Sequence, residues 1–226
     1  MAYKKVSKGE KRIKHILEAA EQLLIDNGYF NFSMRKVATK AGISLGNVQY
    51  YFPSKDVLLE SLLDKVMQVY LDAFEKIRCQ YEPEEQFTKI IKTVMKDLTT
   101  KHTTMFFPEL WSMANHEKNI TKIMDSMYGK YRSMLAEIIR DVNSDLSECQ
   151  AQRLSIFITA TCEGHTMFIG YKKPWTKEAE NMLDISIQSF LWLIEHGDIP
   201  IDKCAKLECR NTVEDEVELS TFEGIT

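Results

Sequence analysis

The chain has 226 residues, 44% of them hydrophobic, and a formal net charge of −4 at pH 7. That is enough apolar material for one or two packed cores without disulfide support, and no run of 18 apolar residues offers a membrane span. The basic start Met1-Ala2-Tyr3-Lys4-Lys5 runs into no apolar stretch, so no secretory signal is expected. Cys79, Cys149, Cys162, Cys204 and Cys209 lack framework spacing and read as reduced thiols of a cytoplasmic protein.

Nine glycines and five prolines interrupt a chain whose apolar residues recur mostly at three and four, which predicts an all-α fold. The first helix is expected from about Lys8 to Asn27, with Ile13, Ile16, Leu17, Ala20, Leu23 and Leu24 on one stripe and Gly28 ending it. Ser33 should cap a short second helix that turns Val37 and Ala38 inward. Gly42 stands where the chain must turn at positive φ, Ile43 fills the gap, and Ser44 caps a third helix. That helix offers Leu45, Gly46, Asn47, Gln49 and Tyr50 outward while Val48 and Phe52 point in. Two short helices about a glycine-centred turn are a shape that presents the second helix to the DNA major groove.

Pro53 and Ser54 start a long helix to about Cys79, with Leu58, Leu62, Val66, Val69, Ala73 and Ile77 expected inside. Pro83 opens another, bearing Phe87, Ile90, Ile91, Val94, Met95 and Leu98. Pro108 is expected to start a short helix with Leu110, Trp111 and Met113, and a long one follows from about Ile120 to Val142. The last two, about Ser147–Tyr171 and Lys177–His196, are apolar on more than one face, which a soluble helix tolerates only when buried or covered by a second subunit. After Pro200 the periodicity fades. From Asn211 the chain holds five acids and no Lys or Arg, as expected of a mobile acidic tail over 201–226.

Charge is unevenly spread. Residues 1–55 hold ten Lys/Arg against four Asp/Glu, leaving nineteen against twenty-nine for the remainder. The positive end coincides with the helix-turn-helix, as an approach to phosphates requires.

The pattern Ser33-x-x-x-Val37-Ala38-x-x-Ala41-Gly42-Ile43-Ser44-x-Gly46-x-Val48-x-Tyr50-Tyr51-Phe52-x-x-Lys55-x-x-Leu58 resembles the amino-terminal domain of TetR/AcrR-type transcriptional regulators. The resemblance covers about residues 9–70. It implies a helix-turn-helix domain there, a helical effector-binding and dimerisation domain over 71–200, and no cofactor. Carried over residue by residue, it places Asn47, Gln49 and Tyr50 at base edges or adjacent sugar, and Ser33, Arg35, Lys36, Tyr51 and Lys55 at phosphates. Ser44 and Leu45 begin the recognition helix, and Gly46 keeps its surface low. Gln49 departs from the pattern, since the family commonly has Tyr there; a Gln amide can pair bidentately with adenine. The family also implies a homodimer on a palindromic DNA operator, through its last two helices. Phe190, Leu193 and Ile194 are the candidates for the seam.

The Met-rich second half has two readings, ordinary core or an adaptable ligand cavity. For the second, Met95, Phe107, Trp111, Met127, Tyr131, His165 and Phe168 form the candidate pocket. Its lining suggests a small hydrophobic or amphipathic effector anchored by His165 or Tyr131. Cys162 and His165 share a helical face, but a zinc site needs three or four ligands, and no phosphate loop, His-Glu-x-x-His or Gly-x-Ser-x-Gly occurs. Neither metal nor catalysis is expected. The reading is a ligand-released dimeric repressor; the alternative is an architectural DNA-binding protein without an effector.

Overall fold

The computed structural model describes residues 7–200, which form nine α-helices and two short 3₁₀ turns with no strand among them. α1 (Lys8–Asn27) starts at Ser7, where Ser7 and Glu10 exchange side-chain and backbone bonds in a capping box. It ends at Gly28, whose φ of 70° few side-chain-bearing residues tolerate. After a turn at Tyr29–Asn31 come α2 (Met34–Lys40) and α3 (Leu45–Tyr51), capped by Ser33 and Ser44. α4 (Lys55–Arg78) begins at the Ser54 cap, and α5 (Pro83–Leu98) has its proline in the first turn, where no N–H is missed. α6 (Lys101–Ala114), α7 (Lys118–Val142), α8 (Glu148–Ile169) and α9 (Ala179–His196) complete the order.

Pro108 does not start a helix. It lies inside α6, which begins seven residues earlier at the Thr100 cap. An interior proline removes one helical hydrogen bond and costs about 3 kcal/mol. Here Phe106, Phe107, Leu110 and Met113, on either side of it, are all buried in one core and hold the two halves in line. The inner stripe of α4 also differs from expectation: Val69 is exposed, while Ala73 and Ile77 are half-buried. The buried residues are Leu58, Leu59, Leu62, Leu63, Val66, Met67 and Phe74, because α4 meets α1 on one side and α7 on the other. Cys149 is disulfide-bonded, contrary to the expectation of reduced thiols, whereas Cys79 and Cys162 are free. The expected acidic tail lies outside the described residues.

The apolar interior divides into two cores. The first joins α1 to α3 with the amino-terminal half of α4, and extends through Phe106, Leu110 and Met113 of α6 to Ile120 and Met127 of α7. The second joins Phe74 of α4 to α5, the rest of α7, α8 and α9. α4 and α7 therefore run through both.

Polar ties reinforce the junction between α1 and α6. Glu21 of α1 accepts from Lys65 Nζ of α4 at 2.7 Å and pairs with His102 Nε2 of α6 at 2.7 Å. Asp26 meets Lys40 of α2 at 3.0 Å and Lys101 of α6 at 3.6 Å. Burial pulls the Glu21 carboxyl up, but the bonds from His102 and Lys65 outweigh it, so its pKa lies below the ordinary 4.5. A carboxylate depressed on folding contributes stability above its unfolded pKa and loses it as pH falls through the folded value. Glu21→Gln should therefore destabilise the chain by about 1–2 kcal/mol at neutral pH. Thermal melts of the variant and the parent at neutral pH and below pH 4 should converge at the acid end.

Candidate nucleic-acid interface and the cavity behind it

The turn between α2 and α3 is built from backbone bonds. Gly42 N–H donates to Thr39 O at 3.1 Å, and Ile43 N–H to Ala38 O at 3.0 Å, around a Gly42 φ of 65°. His15 of α1 donates from Nε2 to Ala41 O at 2.8 Å, pinning the turn to the first helix. Val48 and Phe52 are buried beneath α3, while Gly46, Asn47, Gln49 and Tyr50 are exposed, Tyr50 to 79%. Tyr51 is half-buried and edge-on to Tyr50 at 5.0 Å. Ser44 is exposed and Leu45 half-buried at the helix start, and the Ser44 hydroxyl accepts from Asn47 N–H. The Ser33 hydroxyl likewise accepts from Lys36 N–H, next to exposed Arg35 and Lys36 side chains.

Lys55 stands apart from this face. Its ammonium donates to Tyr29 Oη at 2.5 Å, lies 3.8 Å from that ring's centre and pairs with Glu117 at 3.7 Å. Placed for a phosphate by the resemblance, it is tied inward to the junction with α7, and burial lowers its pKa. Tyr29 N–H is in turn held by Glu109 Oε2 of α6 at 2.7 Å. A Cβ on Gly28 would meet that carboxylate at 3.1 Å, a second reason for glycine there.

Behind this domain five helices line a partly open cavity of about 40 Å³. α4 contributes Met67, Tyr70 and Phe74, α5 Val94 and Leu98, α6 Thr103 and Phe107, α7 Tyr128 and Tyr131, and α8 Glu163. The rings form a continuous wall: Tyr70 lies 6.1 Å from Phe74 and 6.4 Å from Phe107, and Phe74 lies 5.7 Å from Tyr131. Trp111 Nε1 donates to Tyr128 Oη at 3.0 Å, and Tyr128 donates to Glu163 Oε1 at 3.1 Å. Glu163 Oε2 and Tyr131 Oη are buried with no hydrogen-bond partner among the described residues. Of the seven pocket residues expected from sequence, Phe107 and Tyr131 line this space and Trp111 braces it through Tyr128. Met95 and Met127 pack in the two cores instead. His165 donates Nδ1–H to Thr161 O of its own helix, and Phe168 is 60% exposed. Buried Cys162 has its thiol pushed up to about 12, by burial first and by Glu163 second.

Residues 16–62 match the model of bacterial regulatory proteins of the tetR family, and residues 83–191 that of the C-terminal domain of BetI-type transcriptional repressors. The chain belongs to the TetR family. An uncharacterised helix-turn-helix regulator of Xanthobacter autotrophicus is 29% identical over 130 residues, 56% of this chain and 64% of its own, so this chain spans a little under two thirds of it. The fatty acid metabolism regulator of Bacillus subtilis is 25% identical over 135 residues, covering 58% of this chain and 69% of its own. A regulator from Saccharomonospora viridis, solved in complex with choline, superposes with a TM-score of 0.64 at 20% identity, covering 84% of this chain and 97% of that one. This TetR-family chain is thus a DNA-binding transcriptional regulator, of a family of regulators rather than enzymes.

The outer face of α8 and α9 departs from the expected seam. Phe190 and Ile194 are buried in the chain's own second core, and Leu193 is half-buried against it. They share a face with Leu183 and Ile187, and that face packs inward. The exposed large apolar residues of α8 are Ile156, Phe157, Met167 and Phe168, of which Phe157 and Phe168 are eleven apart; those of α9 are Ile185 and Trp192, seven apart. Those intervals are close to whole numbers of helical turns, so each pair forms a stripe. Gly164 lies between the α8 pair, with nothing within 4 Å of where its Cβ would stand.

Gly46 is open on the same criterion, so nothing inside the chain requires glycine there. Gly46→Ala should stabilise the protein by about 0.5–1 kcal/mol through helix propensity, raising Tm by roughly 1–4 °C. Operator affinity should fall at the same time, because the added methyl stands on the exposed face of α3 expected to meet DNA. Gln49→Ala should lose about 1–3 kcal/mol on the operator and little on random DNA. Melting curves and fluorescence anisotropy on both DNAs check these outcomes.

Proposed function

We propose that this chain is a homodimeric repressor that leaves its operator when a small molecule occupies the aromatic cavity. Two copies of α3 would enter successive major-groove faces of a palindrome, with Asn47, Gln49 and Tyr50 at the bases and Ser33, Arg35, Lys36 and Tyr51 along the backbone. The observation that carries the release step is the placing of α4. Only Phe52, Pro53 and Ser54 separate its start from the end of α3, and its Met67, Tyr70 and Phe74 line the cavity. A ligand that fits one position of α4 better than another biases the position of α3, by as much as its two affinities differ and no more. Groove spacing on DNA is fixed, so altered spacing of the two recognition helices forfeits contacts at one half-site.

The second copy would cover the stripes of Phe157, Phe168, Ile185 and Trp192. The names of similar proteins leave the effector open, since one is a fatty acid regulator and another was solved with choline.

Selection from random duplexes followed by anisotropy tests the reading. The expected outcome is a palindrome bound roughly 10³-fold or more above bulk DNA and released by a small molecule. Equal affinity for all duplexes would favour the architectural alternative. Trp192→Asp puts a carboxylate into the proposed seam from a residue 58% exposed in one chain, so the monomer should fold. Sedimentation should then show a monomer, and operator affinity should drop by roughly a hundredfold or more as the two half-sites are uncoupled.

A further inference from the structure

A second space in the molecule is lined by cations. Lys76 of α4 and Lys89, Lys92 and Lys96 of α5 border an open recess of about 340 Å³, to which Ile77 and Tyr81 add apolar surface. It shares no lining residue with the aromatic cavity. Helical spacing gathers the charges. Lys89, Lys92 and Lys96 recur at three and four, so they share one face of α5. The other face is buried through Phe87, Ile90, Ile91, Met95 and Leu98.

The chain leaves most of this charge unmatched. Lys89 meets Glu85 at 3.3 Å and lies 4.1 Å from the centre of the Tyr81 ring. Lys76, Lys92 and Lys96 form no ion pair among the described residues. Lys92 and Lys96, four apart, are a like-charge pair of the kind that destabilises a helix. No Asp or Glu lines the recess, although the chain beyond residue 55 holds nineteen Lys/Arg against twenty-nine Asp/Glu. One sign of charge concentrated in a recess focuses the field and draws in ions of the opposite sign.

We propose that this recess binds a nucleoside di- or triphosphate, its phosphates on the four lysines and its organic body against Ile77 and Tyr81. Four ammonium groups around one small space call for several negative charges on one ligand, more than a carboxylate or a single phosphate supplies. Lysine binds phosphate as a mobile point charge rather than as a fixed fork, which suits a flexible polyphosphate chain. The apolar part of the lining distinguishes an organic polyphosphate from an inorganic one. Beside it the exposed Gln80 amide offers a donor and an acceptor to the edge of a base. The volume lies near the lower end of the roughly 300–1,000 Å³ usual for small-ligand sites. None of this depends on the repressor reading.

Calorimetric titration of the full chain with ATP, inorganic triphosphate and adenosine, at about 0.15 M salt, is the test. One ATP should bind per chain, and more weakly as salt rises. It should bind roughly tenfold or more tightly than adenosine, which lacks the phosphates, and roughly threefold or more tightly than inorganic triphosphate, which lacks the body. Lys92→Glu with Lys96→Glu, both exposed, should cut ATP affinity roughly tenfold or more. Lys118→Glu with Lys122→Glu makes the same change of charge at exposed positions of α7 outside the recess, and should leave ATP binding intact. Tyr81→Leu should weaken ATP and spare inorganic triphosphate. Circular dichroism verifies that each variant folds; should Tyr81→Leu fail to fold, the comparison of ATP with inorganic triphosphate decides the role of the organic body. Absence of ATP binding, equal losses in the two double variants, or inorganic triphosphate bound as tightly as ATP would each overturn the proposal. Sedimentation of the chain with phosphatidylglycerol vesicles, without ATP binding, would also overturn it and assign the recess to a lipid surface.

Discussion

The α4 helix is one rigid element shared by two cores, and the rest of the molecule is arranged around that constraint. Its first half is immobilised by α1 through Leu58, Leu59 and Leu62, its second by Phe74 in the core of α5, α7 and α8. Close-packed interiors deform little, so a side chain displaced at Phe74 is answered by movement of the helix rather than absorbed locally. The motif helices are seven residues each, too short to be stable in isolation, and they take their position from α1 and α4. A recognition surface held this way follows the long helix.

Polar bonds tie the helix-turn-helix to the helices behind it. Tyr29 N–H is held by Glu109, Tyr29 Oη takes a bond from Lys55, and Lys55 pairs with Glu117. Together with the Glu21 cluster, these ties connect the helix-turn-helix to α6 and to the start of α7. They are partly exposed, so each is modest in strength. Apolar burial keeps the domain attached, and the polar ties set where it rests. Lys55 shows the consequence: a cation committed to Tyr29 and Glu117 reaches a phosphate only by giving up those partners.

Much of this was legible before any coordinates. Ser33, Ser44 and Ser54 act as caps where the sequence marked them, and Gly28 and Gly42 have the positive φ their positions demand. Local chemistry dictates such features within a few residues. What sequence did not disclose depends on partners far along the chain. His15 meets Ala41 across 26 residues, and Glu109 meets Tyr29 across 80. Pro108 read as a helix start because its local cost is plain, whereas the burial that offsets it comes from other helices. On α9 the apolar residues surround the helix, so periodicity could not separate the core face of Phe190 from the outer face of Trp192. The cavity was misjudged for a related reason. Met and His suit an adaptable pocket by residue type, whereas nothing in the stretch Cys162-Glu163-Gly164-His165 marks Glu163 as a lining residue.

Glu163 also explains why the cavity has remained a cavity. A buried carboxylate with an unpaired oxygen is costly to the folded state, and an apolar residue of similar size would close the space at lower cost. Tyr131 adds to that cost with its own unpaired hydroxyl. These groups stand on α7 and α8, opposite the three residues that α4 presents. An occupant that satisfies them while touching α4 is therefore bound most strongly in the arrangement that lets it reach both walls. On the proposed release mechanism, strain left unrelieved in the empty chain becomes affinity in the occupied one, and α4 couples that affinity to α3.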